Sequence, residues 1–419
     1  MSLGEIVTQI AHDAREASLV LAAAPSEKKN LALKILARLI RENQSLITSE
    51  NQKDLDAATT LSNAFRDRLA LTPKRIEAMA AGVEEVAELA DPVGQIISET
   101  HRPNGLLIQK IRTPIGVIGI IYESRPNVTV DCASLCLKSG NASILRGGKE
   151  AFNSNMCLAR IIAQALEEAG LPSKSVQIIP TGDRAAMNTL LKLDQFVNCI
   201  IPRGGESLIR FVVENSTIPV IKHYKGVCTI YVDEFADAEM AKAIAVNAKC
   251  QRPGTCNAAE NLIVHESQAD AFLEIAKALS DSGVEIRADG KALELLRANT
   301  VVANEANEED FGAEYTDMII SARLVKSLDE AVKFVNAYGS GHSDAIVTNN
   351  PQNAELFLNS VDSAAVYWNA STRFTDGFEF GLGAEIGIST DKLHARGPMG
   401  LDELCIYKYK IFGSGQTRS

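Results

Sequence analysis

The sequence predicts an α/β protein built from two doubly wound domains. Its 419 residues exceed the roughly 250 to 300 at which a single hydrophobic core stops growing. From residue 115 onwards, short apolar runs alternate with segments of helical periodicity, which is typical of parallel sheets covered by helices. A second stretch of the same kind runs from about Gly226 to Trp368, so we expect each stretch to form a domain.

The individual elements are predicted from periodicity and turn residues. Apolar residues recur at helical spacing from Leu3 to about Leu89, which predicts a series of helices before the first sheet. Residues 106–113, after the turn dipeptide Asn104-Gly105, predict a strand. The other predicted strands are 115–121, 142–146, 176–179, 196–201, 218–222 and 404–412. The other predicted helices are 128–139, 150–168, 183–192, 205–214, 237–250, 267–282 and 328–337.

Composition and charge exclude several classes of partner. The formal net charge of -11 disfavours a nucleic-acid or anionic membrane surface, which requires concentrated Lys and Arg. Apolar runs such as 115–121 are far shorter than the ~20 residues that span a bilayer. The first ten residues carry neither a basic start nor an apolar signal block, so we expect a cytoplasmic protein that binds small molecules.

Cysteine and histidine spacing predicts reduced thiols and no metal site. The eight cysteines include no Cys-x-x-Cys pair, and the six histidines are scattered along the chain. Zinc sites need clustered Cys and His ligands, which this pattern does not provide.

Cys256 is the candidate nucleophile. It lies in the segment Gln-Arg-Pro-Gly-Thr-Cys-Asn-Ala (251–258), immediately before a predicted strand. Pro253 and Gly254 favour a tight turn, and a thiol becomes reactive where it is partly open and its thiolate is stabilised. The alternative interpretation is a buried cysteine that acts as a small hydrophobe.

Three loops after predicted strands are candidate binding loops, because ligands of doubly wound sheets bind where strands end. Residues 122–127 follow the first strand. The other two contain Gly-Gly pairs that lead into helices, where backbone N–H groups favour phosphate. Alternatively, the glycines only shape the turns. The two Gly-Gly loops consist of Arg146, Gly147, Gly148 and Lys149, and of Arg203, Gly204, Gly205 and Glu206. A third glycine-rich segment, 381–387, has the wrong spacing for a dinucleotide fingerprint and is predicted to be a loop.

Four segments, in order, resemble the glutamate-5-semialdehyde dehydrogenases of the aldehyde dehydrogenase superfamily. They are 122–129, 251–258, 338–346 and 369–377. The resemblance covers nearly the whole chain and implies an aldehyde dehydrogenase-like fold. It also implies NADPH-dependent reduction of L-glutamate 5-phosphate to glutamate 5-semialdehyde, the second step of proline synthesis from glutamate.

The resemblance assigns roles to the candidate catalytic residues. Cys256 is expected to displace phosphate and form a thioester, and hydride transfer then gives a thiohemiacetal that releases the aldehyde. Asn127 is expected to donate its side-chain amide to the carbonyl oxygen, together with the Cys256 backbone N–H. The alternative for Asn127 is an ordinary turn residue after Pro126.

The cofactor is expected to be NADPH. Relatives that prefer NAD often carry an acid where this chain has Lys149, and the cations Arg146 and Lys149 suit a 2′-phosphate. A solvated basic loop is the alternative. The segment Glu-Asp-Phe-Gly (309–312) resembles one whose glutamate holds the nicotinamide ribose, so Glu309 and Phe311 are expected at the cofactor.

The substrate has two anionic ends and an ammonium group. Arg125 and Arg373 are expected to bind the anionic ends, although the sequence does not say which binds which. His342 and Ser343 are expected to line the same pocket, or else to form a structural turn.

Hydrolytic relatives carry a glutamate base where this chain has residues 222–226, with His223 near the glutamate position. We therefore expect a thioester that is consumed by hydride and not hydrolysed. His223 is either a base or an ordinary strand-end residue. Competing interpretations are a CoA-acylating relative, a hydrolytic aldehyde dehydrogenase and a catalytically silent member of the fold.

The resemblance also implies domains and partners. Residues 1–225 are expected to form the cofactor domain, 226–368 the catalytic domain and 369–419 a return segment. The segments 104–113 and 404–412 are expected to form an oligomerisation arm, so the protein is predicted to be a homo-oligomer. Functional coupling to glutamate 5-kinase is also expected.

Overall fold

The computed structural model describes residues 1–59 and 62–418, and these divide into two compact units. The first unit comprises residues 1–222, 381–387 and the chain from Met399 onwards. The second comprises residues 223–380 and 388–398. The chain enters the second unit three residues before the boundary predicted after 225, and it stays there for longer than the predicted 368.

Helices lead the first unit, as the apolar periodicity predicts. Capping side chains fix the starts of some of them. Ser2 and Glu5 form a capping box at the first helix, and Thr72 accepts a hydrogen bond at the start of the helix that begins with Pro73. The helices are α1 (Leu3–Ala22), α2 (Ser26–Glu42), α3 (Gln44–Ala57), α4 (Asn63–Leu69) and α5 (Pro73–Glu88).

A solvent-exposed antiparallel sheet follows. It contains β1 (Ile96–His101), β2 (Leu107–Pro114) and the C-terminal strand Cys405–Phe412, with β2 in the middle. All residues of β1 are exposed, and only Cys405 is buried in the C-terminal strand. The sheet therefore adds little to the core of the first unit.

The parallel sheet of the first unit has the order β5-β4-β3-β6. Its order reverses between β3 and β6, so the loops after these strands open at a topological switch point, where ligands of such sheets bind. The strands are β3 (Val117–Tyr122), β4 (Ala142–Arg146), β5 (Val176–Ile178) and β6 (Cys199–Arg203). The helices between and after them are α6 (Asn127–Lys138), α7 (Phe152–Glu168), α8 (Arg184–Leu190) and α9 (Glu206–Asn215).

The predicted strand at 218–222 was wrong. Only an isolated parallel bridge joins Val220 to Ile200 in this described segment. The Ile200 N–H donates to the Pro219 carbonyl, and the Ile221 N–H donates back to Ile200. Pro219 has no N–H to extend the ladder, which explains why the pairing stops.

The second unit is built on a parallel sheet with the order β10-β9-β11-β8-β7-β12-β13. The strands are β7 (Cys228–Val232), β8 (Ala259–His265), β9 (Glu285–Ala288), β10 (Asn304–Glu305), β11 (Ile319–Val325), β12 (Ser343–Val347) and β13 (Ala365–Trp368). The helices are α10 (Ala238–Cys250), α11 (Ala269–Asp281), α12 (Gly290–Ala298), α13 (Leu328–Tyr338) and α14 (Pro351–Ser360). A short antiparallel pair, β14 (Ile388–Ser389) and β15 (Gly397–Pro398), completes this unit.

The sheet of the second unit is covered on both faces. Ile230 and Val232 belong to the apolar cluster on one face, and Tyr231 between them belongs to the cluster on the other. Such two-sided burial explains why parallel strands appear as continuous apolar runs in the sequence. No helix in the described residues combines the length and apolarity needed to cross a membrane.

Candidate active site

Cys256 lies in a turn between α10 and β8, and its side chain is partly exposed. The backbone of Gly226 packs directly on it, because a Cβ at position 226 would lie 1.9 Å from the Cys256 carbonyl oxygen. The buried Cys228 thiol donates to the same oxygen at 3.3 Å. The candidate nucleophile loop, which we call the nucleophile loop (residues 251–258), is therefore held by its main chain, and Cys256 is partly exposed.

The segment 369–377 is tied to the nucleophile loop. The Asn257 amide donates to the carbonyl oxygens of Thr375 at 2.9 Å and Arg373 at 3.4 Å. The Thr372 hydroxyl donates back to the Asn257 carbonyl at 2.7 Å. The structure thus brings together two of the segments that carry the family resemblance.

Arg373 is placed where its charge acts on Cys256. Its Nε donates to the Gln251 side chain at 2.8 Å. Burial and the neighbouring Arg252 lower the pKa of the Arg373 guanidinium, whereas interaction with the Cys256 thiolate acts in the opposite direction. A nearby cation stabilises a thiolate, so this arrangement favours the reactive form of the nucleophile.

His342 and Ser343 are fully buried beneath the segment 369–377. His342 Nδ1 lies 2.8 Å from the Ser343 hydroxyl, which lies 2.6 Å from the Thr375 hydroxyl. Burial, together with His223, lowers the pKa of His342 to about 3, so its ring is neutral. His342 Nε2 is buried without a hydrogen-bond partner in the described chain. These residues connect β12 to the Thr375 turn.

His223 lies at the start of the second unit. Its Nδ1 is 2.7 Å from the Ile388 carbonyl oxygen, and its ring packs edge-on against His342 with centroids 5.7 Å apart. A carbonyl only accepts, so Nδ1 carries a proton and donates to Ile388.

Asn127 is the first residue of α6 and follows a strained turn. Ser124 has a φ of 47°, and its N–H and hydroxyl both donate to Glu150 at 2.8 Å. The Asn127 amide donates to the Asp131 carboxylate at 2.8 Å. Glu150 thus fixes the turn, and Asp131 orients the amide. Arg125, between them, is exposed.

The loop Arg146–Lys149 contains one buried and one exposed cation. Arg146 donates to the Gly182 carbonyl at 2.8 Å, and its Nε is buried with no partner among the described residues. Lys149 is exposed. A Cβ at Gly147 would lie 2.1 Å from the Asn155 amide, and one at Gly148 would lie 2.1 Å from Glu150. The glycines thus permit close packing here, and Lys149 is the cation accessible to a ligand.

The second Gly-Gly loop carries an internal anion. The Gly205 N–H donates to the Glu123 carboxylate at 3.0 Å, and a Cβ at Gly204 would lie 2.5 Å from the same oxygen. The Arg203 guanidinium donates to the Ile386 carbonyl. A protein carboxylate therefore already lies at the α9 N-terminus, where phosphate was expected.

Glu309 and Phe311 have different environments. Glu309 is exposed, and its backbone N–H donates to the Asn307 side chain at 2.8 Å. Phe311 is fully buried, with its ring 5.4 Å from Phe334, and Arg323 lies 4.1 Å above it. Phe311 anchors the segment 309–312, which leaves Glu309 at the surface.

Sequence reasoning did not single out Asp131, Glu150 or Asn257. Asp131 follows Asn127 by four residues on a helix, a spacing that places the two side chains on one face. That signal was available. The contacts of Glu150 with Ser124 and of Asn257 with Thr375 join distant positions and leave no mark in the local pattern. Across residues 1–59 and 62–418, no group of three or more His, Cys, Asp and Glu side chains is arranged to hold a metal ion.

Residues 4–285 match the model of the Aldehyde dehydrogenase family. The protein named gamma-glutamyl phosphate reductase from Opitutus terrae is 58% identical to this chain, covering 100% of it and 99% of the relative. The protein of the same name from Carboxydothermus hydrogenoformans is 55% identical and covers 98% and 99%.

Solved structures agree with these matches. The crystal structure of gamma-glutamyl phosphate reductase from Thermotoga maritima has a TM-score of 0.96 at 45% identity, covering 99% of this chain and 100% of that one. An acetylating aldehyde dehydrogenase from Geobacillus thermoglucosidasius shares the fold, with a TM-score of 0.72 at 17% identity over 100% of this chain and 98% of that one. The chain therefore belongs to the aldehyde dehydrogenase family, within the group of γ-glutamyl phosphate reductases. The predicted fold class and the resemblance are confirmed.

Proposed function

We propose that this protein reduces L-glutamate 5-phosphate to glutamate 5-semialdehyde and phosphate with NADPH, in proline synthesis from glutamate. The names of its relatives support an oxidoreductase of this substrate. The observation that carries the proposal is the partly exposed Cys256 thiol in a rigid loop, within the electrostatic influence of Arg373.

The Cys256 thiolate attacks the 5-carbonyl carbon of the acyl phosphate. A C–S bond forms, the C–O bond to phosphate breaks, and phosphate leaves with the electron pair. When bound, NADPH would supply the hydride that reduces this thioester to a Cys256 thiohemiacetal. The Cys256 thiohemiacetal then collapses, so the C–S bond breaks, the aldehyde is released and the thiolate is restored.

Charge develops on the carbonyl oxygen in both steps. Asn127 and the Cys256 backbone N–H donate to it, and each such donor stabilises the transition state by a few kcal/mol. Arg125 and Arg373 bind the anionic ends of the substrate. His342 and Ser343 are buried, so we propose that they form the wall of the pocket through Thr375.

The loop Arg146–Lys149 has features that suit a dinucleotide. Lys149 is the exposed cation next to a close backbone turn, and the buried Arg146 Nε lacks a partner in the described chain. We propose that Lys149 holds the 2′-phosphate while Arg146, Gly147 and Gly148 shape the loop. For the loop at Arg203, Gly204 and Gly205, phosphate binding requires that Glu123 move from the Gly205 N–H. Glu309, anchored by Phe311, holds the nicotinamide ribose.

The test is NADPH oxidation when the protein is mixed with ATP, glutamate and a glutamate 5-kinase, which makes the labile acyl phosphate in place. Omitting any one component should abolish oxidation. Release of phosphate and semialdehyde in equal amounts identifies the reaction. NADPH oxidation that proceeds with an acyl-CoA in place of the kinase mixture would contradict the proposal in favour of a CoA-acylating relative.

We also propose a homo-oligomer that acts in the cytoplasm and is functionally coupled to glutamate 5-kinase. The exposed sheet bears apolar side chains on both outer strands, including Ile96, Tyr409 and Ile411. Exposed strand edges of this kind favour pairing between chains. Light scattering after size-exclusion chromatography measures the mass directly, and Ile411→Lys should lower it. The eight cysteines, all within the described residues, are free thiols, which suits a reducing compartment.

A further inference from the structure

Asp131 lies beside the proposed carbonyl-binding amide without taking part in the chemistry described above. It is four residues after Asn127 on α6, so both side chains are on one helix face. The Asn127 Nδ2 donates to Asp131 Oδ2 at 2.8 Å. The Asp131 side chain is accessible to solvent, so a small molecule can reach it.

The charge of Asp131 is poorly compensated. Among the described residues, no ion pair joins it to a lysine or arginine, although the charge of Arg203 favours its ionised form. Desolvation by the surrounding protein raises the pKa of the Asp131 carboxyl to about 6, even though its surface is accessible. A carboxylate accepts about four hydrogen bonds, and the Asn127 amide uses one of them. The site therefore suits a ligand that brings a cation with several donors.

The same hydrogen bond fixes the direction of the Asn127 amide. Nδ2 carries two hydrogens, and Asp131 accepts one of them. In the proposed function, the other faces the 5-carbonyl oxygen of the substrate. The α-ammonium group lies on a carbon three atoms along the same chain. An acceptor that already bonds to Asn127 is therefore within reach of the rest of the substrate chain in the proposed function.

We propose that Asp131 binds the α-ammonium group of the substrate and so selects an amino acid over the corresponding plain acid. This inference rests on the proposed function. Arginine side chains supply partners for the two anionic ends, and Asp131 supplies the acceptor that the ammonium group needs. The Asn127 hydrogen bond couples recognition of the ammonium group to placement of the carbonyl.

The test uses the reverse reaction with NADP and phosphate, which avoids the labile acyl phosphate. Two aldehydes are compared, glutamate 5-semialdehyde and 5-oxopentanoate, which lacks only the amino group. Asp131→Asn keeps an oxygen that accepts from Asn127 and removes the charge. It should lower kcat/KM for glutamate 5-semialdehyde roughly 10- to 100-fold, mainly through KM, since a charge-assisted hydrogen bond is lost. The kcat/KM for 5-oxopentanoate should stay within about twofold, because no charged contact is lost.

Controls separate this role from a structural one. Cyclisation lowers the concentration of the free amino aldehyde by the same factor for every variant, so it cancels when variants are compared on one aldehyde. Glu167→Gln, an exposed carboxylate on α7, controls for loss of one negative charge and should leave both aldehydes unchanged. Asp131→Glu keeps the charge and should restore at least part of the preference for the amino aldehyde, and circular dichroism checks that each variant is folded.

The alternative outcomes are distinct. An equal loss of kcat for both aldehydes in Asp131→Asn would mean that Asp131 acts only by positioning Asn127, and it would overturn the inference. Unchanged kinetics for both aldehydes would overturn it as well, while leaving the proposed function intact. A wild-type protein that oxidises neither aldehyde would instead refute the proposed function and the inference together.

Discussion

The nucleophile loop, residues 251–258, and the glycine loop, residues 146–149, are held by contacts of different range. Asn257 in the nucleophile loop bonds to carbonyl groups 116 and 118 positions away. Arg146 in the glycine loop bonds to a carbonyl 36 positions away, and Gly148 is packed by its near neighbour Glu150. The loop proposed to bind the cofactor is thus held by nearer contacts, whereas the loop of the proposed nucleophile depends on distant contacts within the second unit.

The charges around the two loops also differ. Arg373 interacts electrostatically with both Cys256 and Arg252, so positive charge lies beside the proposed nucleophile. In the glycine loop, Lys149 is followed directly by Glu150. In the second Gly-Gly loop, the Glu123 carboxylate accepts a hydrogen bond from the Gly205 N–H, so an acidic side chain lies beside each loop. Substitutions in the two loops should therefore fail differently, in chemistry for one and in cofactor choice for the other.

The largest effect should come from Cys256→Ser. Reduction should fall by several orders of magnitude with the fold and NADPH binding retained, because an alcohol without an adjacent base is a weak nucleophile. Steady-state turnover and fluorescence titration of NADPH measure the two properties. Cys250→Ser, six residues earlier, is the matched control and should be mild. Turnover above about a tenth of the wild-type value in Cys256→Ser would disprove covalent catalysis at this residue.

The effect of inorganic phosphate on the rate of the reverse reaction should be nearly as large as the effect of Cys256→Ser. No glutamate occupies the residues 222–226, so the thioester formed in reverse from the semialdehyde has no efficient route to water. Oxidation should depend on inorganic phosphate, measured as NADPH formation at alkaline pH with phosphate replaced by an inert buffer. Sustained turnover without phosphate, with free glutamate accumulating at the same rate, would show that His223 or a neighbour activates water.

Gly226→Ala tests how tightly the nucleophile loop is held. The added methyl would lie 1.9 Å from the Cys256 carbonyl oxygen, so the loop must shift. A shift of this size should lower kcat about 100-fold, the cost of a 1 Å misplacement at a reacting group. Gly82→Ala in α5 meets no atom within 4 Å and should leave kcat unchanged. A normal kcat in folded Gly226→Ala would mean that the close contact does not position the thiol.

Lys149→Glu tests the glycine loop alone. NADPH binding should weaken by about 1.5 to 3 kcal/mol, the scale of a hydrogen bond to a charged group, while NADH is spared or improved. The kcat/KM for each cofactor decides this, with Lys192→Glu as a control for charge reversal at another exposed lysine. An unchanged ratio of NADPH to NADH would show that Lys149 does not contact the 2′-phosphate.

The smallest effect is the contribution of the buried His342 to the pH dependence of stability. The pKa of His342 is about 3 in the folded protein, below its ordinary value of 6.5, so only the unfolded chain takes up a proton between these values. Stability should therefore fall as pH falls through 6.5. From pH 7 to pH 5 the loss should be about 2 kcal/mol greater in wild type than in His342→Gln, measured by urea unfolding. Identical pH profiles would place His342 in a solvated site.

Much of the fold could be predicted from the sequence. The helix predicted at 205–214 lies at Glu206–Asn215, and the strand predicted at 142–146 lies at Ala142–Arg146. Periodicity and turn residues act within a few positions, so they can be read without the rest of the chain. The strand predicted at 218–222 was wrong. Its apolar composition suits a strand, but Pro219 has no N–H to continue the pairing beyond a single bridge.

The sequence by itself determined the alternation of strands and helices, the turn that presents Cys256 and the positions where glycines allow close backbone contact. The tertiary structure alone decided which side chains surround that turn. Burial keeps the His342 ring neutral. The tertiary fold also places Phe311 beneath Arg323 and leaves Asp131 accessible beside Asn127. Backbone conformation depends on neighbours in sequence, whereas desolvation and charge depend on neighbours in space, many of which lie more than a hundred residues away.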